Sequence, residues 1–122
     1  MLTPQEIAEI TIHALDDKKA QDIKLLKTHD VTILADYFVI CTARSTTQLR
    51  TLSDEVERVL KESGETPLRR EGSRSGGWVL LDFASVIVHI FLKETREFYT
   101  LERLWGDAED IAVDTILTKN NI

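Results

Sequence analysis

Asp82 and His89 lie within "GWVLLDFASVIVHIF", the stretch from Gly77 to Phe91. An acid and an imidazole inside an otherwise apolar run are the groups that acid–base chemistry uses. Cys41, in "ADYFVICTA", adds a possible nucleophile. A Cys–His pair needs a thiol that substrate can reach and a third group to orient the imidazole. Cys41 sits in a dense apolar segment, where a thiol more often behaves as a small hydrophobe. His89 alternates with Ile87 and Phe91 and is expected to be a hydrogen-bonded packing residue.

Metal and nucleotide chemistry meet similar obstacles. His13, His29 and His89 are not spaced as zinc ligands, and one cysteine cannot build a structural zinc site. "GSRSGG" is glycine-rich but lacks the Gly-Lys-Ser/Thr ending of a P-loop, and no helix pattern follows it. A nucleotidyltransferase places a Gly-Ser pair before a strand with two carboxylates that hold two metals. Here Gly72-Ser73 precedes Asp82, but Asp82-Phe83-Ala84 supplies one carboxylate, and two-metal catalysis needs more. A nucleotide-binding protein of nucleotidyltransferase-like architecture remains the alternative reading. No cofactor and no metal are expected.

Binding chemistry is better supplied. Alternation puts Trp78, Leu80 and Asp82 on one strand face, and Val79, Leu81 and Phe83 on the other. In "ETREFYTLERLW", Phe98, Leu101 and Trp105 form one helical stripe, and Arg96, Tyr99 and Arg103 share another. Glu94, Glu97 and Glu102 surround the second stripe with acid. Trp, Tyr and Arg are the usual anchors of protein interfaces. The Phe98 stripe more simply docks its helix on a sheet, whereas Trp78, Tyr99 and Arg96 suit packing and binding equally.

The elements that must hold these residues are readable from caps and periodicity. Thr3-Pro4-Gln5-Glu6 is a capping box with Pro at the first helical position, and Ile7, Ile10, Thr11 and Ala14 form the stripe of a first helix. Asp22–Lys27 reads as a strand, and Ala35–Ala43 as a central strand covered on both faces. Ser45-Thr46-Thr47-Gln48 is a second capping box. It opens a long helix with Leu49, Leu52, Val56, Val59 and Leu60 inward and Gly64 as its stop. A short strand over Thr66–Arg70, a Gly/Ser loop, and two strands turning at Phe83-Ala84-Ser85 follow. So short a link requires an antiparallel hairpin. A last helix spans Glu94–Trp105. The resulting order predicts one α/β domain with a mixed sheet of about five strands flanked by helices. It occupies residues 1–106, with residues 107–122 a loosely helical or mobile tail.

The chain has 122 residues and a formal net charge of −6. An acidic chain is poorly suited to nucleic acid, which demands many Lys and Arg contacts, and well suited to a basic protein surface. No apolar run is long enough to span a bilayer, and the N-terminal segment lacks the pattern of a signal or transit peptide. A cytoplasmic location is expected, and the single cysteine fits a reducing compartment.

"ADYFVICTARSTTQ", "REGSRSGGWVLLDF", "VIVHIF" and "ETREFYTLERLW", in this order, closely resemble the ribosomal silencing factor S (Iojap-related) family. The resemblance runs from about Leu2 to Asp107. It implies a small α/β protein with a nucleotidyltransferase-like sheet but without that fold's catalytic carboxylates, and no enzymatic activity. It implies binding to the large ribosomal subunit through large-subunit ribosomal protein fourteen, blocking subunit joining and lowering translation when nutrients run short. Homodimers of the free protein are also implied for some members. Carried onto this sequence, the partner-facing positions are Glu71, Trp78, Leu80, Asp82, Arg96, Tyr99, Glu102 and Trp105. The chain departs from the family pattern at Ala84-Ser85, where Gly or Asn followed by Asp is usual, and at Cys41-Thr42-Ala43-Arg44, where smaller residues are usual.

Overall fold

The computed structural model describes residues 2–28, 35–73, 76–95 and 109–118. Helix α1 (Pro4–Asp17) starts where the capping box places it. The Thr3 hydroxyl accepts from the Glu6 amide at 3.1 Å, and the Glu6 carboxylate accepts from the Thr3 amide at 2.9 Å. Both bonds satisfy amides that a helix start leaves without intrahelical partners. Strands β1 (Gln21–Lys27) and β2 (Tyr37–Ala43) follow, then α2 (Thr46–Glu62).

The start of α2 differs from the expected box in one bond. The Ser45 hydroxyl accepts from the Gln48 amide, as expected, but the Gln48 side chain accepts from the amide of Arg44, one residue before the cap. Its amide nitrogen then donates to the Lys18 and Lys19 carbonyls, each at 3.1 Å. Gln48 therefore ties the start of α2 to the end of α1. The far end of α2 closes as a Schellman motif. Gly64 has φ +92°, Glu65 donates to the Leu60 carbonyl, and Gly64 donates to that of Lys61.

Strands β3 (Arg69–Ser73), β4 (Trp78–Asp82) and β5 (Val86–Leu92) come next. The β4–β5 pair is the expected antiparallel hairpin. Strand β3 lies C-terminal to its expected Thr66–Arg70 position, because pairing with β4 rather than local periodicity sets it. It runs antiparallel to β4 through Gly72, whose φ of +95° suits glycine. A Cβ on Gly72 would run into the Trp78 carbonyl. Residues 96–105 of the expected last helix lie outside the described residues. Strand β6 (Glu109–Ile111) and helix α3 (Val113–Thr118) occupy the stretch read from sequence as a tail.

The sheet has the order β3-β4-β5-β2-β1-β6. Five strands match the expected mixed sheet, and β6 adds a sixth by pairing antiparallel with β1. The central pair, β2 and β5, is parallel. Helices α1 and α2 pack on one face, where Ile12, Leu15, Leu49, Leu52, Val56 and Leu60 meet Val39, Leu81, Val88 and Ile90. A second, smaller cluster forms on the other face from Leu26, Ala35, Phe38, Ile40 and Phe91. The division follows from strand alternation, since neighbours along a strand point to opposite faces. Strand β2 feeds both clusters and is buried nearly throughout. Among the described residues, no helix is long and apolar enough to cross a membrane.

Candidate protein-binding face

The β4–β5 register brings three residue pairs together: Trp78 with Phe91, Leu80 with His89, and Asp82 with Ile87. Strand β3 extends the rows, placing Glu71 opposite Leu80 and Arg69 opposite Asp82. Directly paired residues share a face, so Trp78, Leu80, Asp82, Glu71 and Arg69 lie on the side away from α1 and α2. The grouping of Trp78, Leu80 and Asp82 expected from alternation is thus present.

Aromatic rings run across this face as a ladder. Trp78 stacks on Phe91 with centroids 6.5 Å apart and planes 20° apart. Phe91 and His89 are parallel at 5.9 Å, and Phe38 tilts against His89 at 5.3 Å. Such spacings are those of favourable aromatic pairs. Trp78 is half-buried and ends the ladder; Leu80 beside it is buried. The indole therefore keeps open area on a support that packing already holds.

Asp82 is committed at both oxygens. Oδ1 accepts from the Ala84 amide at 2.8 Å, which holds the hairpin turn, where Ala84 has φ +69°. Oδ2 accepts from Arg69 Nε at 3.1 Å. Arg69 Nη1 reaches on to Glu71 Oε1 at 2.9 Å, so one guanidinium bridges the two acids named from sequence. Sequence reasoning missed Arg69. Its place follows only from the β3–β4 register, and the one local hint was the Arg-Arg-Glu run before the glycine. Arg70, on the opposite face, instead ties β3 to α2 through Ser53, Asp54 and Glu57.

His89 departs from expectation. It is 7% exposed, and neither ring nitrogen has a hydrogen-bond partner among the described residues. Burial among apolar neighbours lowers its pKa to about 4, so the imidazole is neutral near pH 7. Cys41 cannot assist it: Ile40 pairs with His89 and Cys41 with Ile90, which puts thiol and imidazole on opposite faces. Among the described residues, no group of His, Cys, Asp and Glu could hold a metal ion. Arg96, Tyr99, Glu102 and Trp105, the other expected partner-facing positions, lie outside the described residues.

The family model "Ribosomal silencing factor during starvation" matches residues 2–121. The ribosomal silencing factor RsfS of Halalkalibacterium halodurans is 35% identical over 117 residues, covering 96% of this chain and 100% of its own. A mouse protein named for mitochondrial assembly of the ribosomal large subunit is 31% identical over 100 residues, covering 80% of this chain and 44% of its own. A crystal structure of a Chromobacterium violaceum protein superposes with a TM-score of 0.83 at 39% identity, over 86% of this chain and 88% of that one. The match spans the motif strands, the sheet and the β6–α3 stretch alike, and the chain belongs to the ribosomal silencing factor family.

Proposed function

We propose that the protein represses translation by binding the large ribosomal subunit through large-subunit ribosomal protein fourteen and blocking the small subunit from joining, chiefly under nutrient limitation. The observation that carries this reading is the half-buried Trp78 indole, stacked on Phe91 and sharing its sheet face with Glu71, Arg69 and Asp82. An aromatic anchor on a rigid strand, rimmed by charge, is the usual core of a protein interface. In this reading Trp78, Glu71 and Asp82 face the partner together with Arg96, Tyr99, Glu102 and Trp105, and Leu80 supports them from beneath. The net charge of −6 suits a basic ribosomal protein better than bare RNA. The mouse relative's name, which joins it to large-subunit assembly, supports the same direction. The protein acts in the cytoplasm without catalysis, and the free form pairs as a homodimer.

Sucrose-gradient sedimentation with purified ribosomal particles tests the proposal. The protein is expected to travel with large subunits and not with small subunits or joined ribosomes. Trp78→Ala is expected to weaken that binding by about 2 kcal/mol, roughly thirtyfold. A folded Trp78→Ala protein that binds undiminished removes Trp78 as the anchor. Failure of the unaltered protein to travel with large subunits overturns the function itself.

A further inference from the structure

A cleft opens where the first turns of α1 meet β1, β2 and the β6–α3 stretch, on the helix-bearing side of the sheet. One cavity of about 350 Å³ is walled by Ala8, Glu9, Leu25, Ile111, Thr115 and Ile116. A second, also about 350 Å³, is walled by Thr3, Pro4 and Asp36. Gln5, Lys27 and Tyr37 line both, so the two cavities adjoin. Their size lies at the small end of ligand sites, which combine apolar walls with a few convergent polar groups.

Polar groups converge here on an apolar floor. Lys27 and Tyr37 are direct cross-strand partners, so both side chains stand on one face. Both are half-buried, and neither the ammonium nor the phenol has a partner among the described residues. The positive end of α1, at Thr3 and Pro4, borders the same space. The Glu9 carboxylate stands in the wall, where it accepts from the Gln5 side-chain amide at 2.9 Å. Glu9 has a further interaction besides this bond, and the roughly four acceptor positions of a carboxylate can take a ligand's donor alongside such partners. Leu25, Ile111 and Ile116 supply the apolar floor. Lys27 and Glu9 border the same cavity, and a cation and an anion over an apolar floor complement a zwitterion with an apolar tail. A simple anion would meet Glu9 and Asp36 as well as Lys27.

We propose that this cleft binds a free α-amino acid with an apolar side chain. Its carboxylate meets Lys27 and Tyr37, its ammonium meets Glu9, and its side chain covers Leu25, Ile111 and Ile116. The site is separate from the Trp78 face and does not depend on ribosome binding. Because β6 and α3 supply one wall, the occupant also bridges residues 109–118 to α1.

Calorimetric titration of the full chain with leucine tests this, with two analogues as controls. 4-Methylpentanoate lacks the ammonium, and leucinamide lacks the carboxylate. Leucine is expected to saturate with a Kd on the order of 0.1–1 mM, a range suited to so small a ligand. Each analogue is expected to bind at least tenfold more weakly. Lys27→Met and Glu9→Gln should each weaken leucine at least tenfold with unchanged circular dichroism, and Tyr37→Phe gives a milder check at the same position. Hydrogen exchange at residues 109–118 should slow when leucine is bound. Absence of saturation by leucine overturns the proposal, as does undiminished binding to Lys27→Met and Tyr37→Phe. Equal binding of 4-methylpentanoate overturns the amino-acid assignment.

Discussion

His89 must stay neutral to stay buried. In the unfolded chain an imidazole titrates near ~6.5. In the fold, burial lowers the value to about 4. Between these two values the unfolded chain binds more protons than the folded one, so stability falls as pH falls. The contribution is complete above about pH 6.5, is lost progressively towards pH 4, and amounts to roughly 3 kcal/mol. Urea unfolding at steps across that range measures it, and His89→Phe is expected to flatten this part of the profile. The same variant removes two buried nitrogens that have no hydrogen-bond partner among the described residues and should raise stability near pH 7 by about 1 kcal/mol. A profile as steep in His89→Phe as in the unaltered protein would assign the pH dependence elsewhere. Glu6 and Glu55, held below the usual carboxylate range by hydrogen bonds from Thr3 and Arg58, respond only at more acidic pH. That His89 is buried was legible from its alternation with Ile87 and Phe91. That it has no hydrogen-bond partner among the described residues was not, because its surroundings include Phe38 and Leu80 from two other strands.

At the scale of elements, two contacts hold the candidate face and its scaffold in place. The first is the close passage of β3 over β4 at Gly72. Gly72→Ala forces a Cβ against the Trp78 carbonyl and imposes a left-handed φ on alanine, so β3 must shift. A loss of about 2 kcal/mol or more in denaturant unfolding is expected, with weaker partner binding, because Glu71 and Arg69 move with the strand. The second is Gln48, whose amide joins Arg44, Lys18 and Lys19. Gln48→Ala leaves those backbone groups to water and should cost about 1 kcal/mol, read as a lower melting temperature without loss of helix signal. Local chemistry made the two long helices and the hairpin legible: a Ser or Thr cap, a 3.6-residue stripe, a glycine stop, and a link too short to cross over. Strand β3 was misplaced because "RREGS" carries no apolar alternation, and its pairing with β4 decides where it begins. The β6 strand has three residues and no local signal at all. It exists because β1 offers an edge.

For the whole molecule, residues 109–118 are part of the packed body. Ile116 is buried in the main cluster with Ile7, Ala8 and Leu25, and Ile111 packs beside them. A chain ending at residue 108 loses that burial and the β1–β6 ladder. Its unfolding free energy is expected to drop by about 2 kcal/mol or more, measured by urea titration. An unchanged midpoint would mean that the stretch contributes nothing to the fold.

The parallel pairing of β2 with β5 has a consequence for how the chain acquires its shape. Tyr37 meets Val86, and α2, β3 and β4 all intervene. The central ladder is therefore a long-range pairing, and contacts of that kind slow folding. During synthesis at ~5–20 residues per second, β2 waits roughly 2–10 s for its partner strand to be made. Over that interval "YFVICTA" has β1 along one side and nothing native along the other. An open, apolar strand edge is a template for wrong pairing. Slowed translation lengthens that wait, so the yield of folded protein should depend on elongation rate between the codons for Ala43 and Leu92.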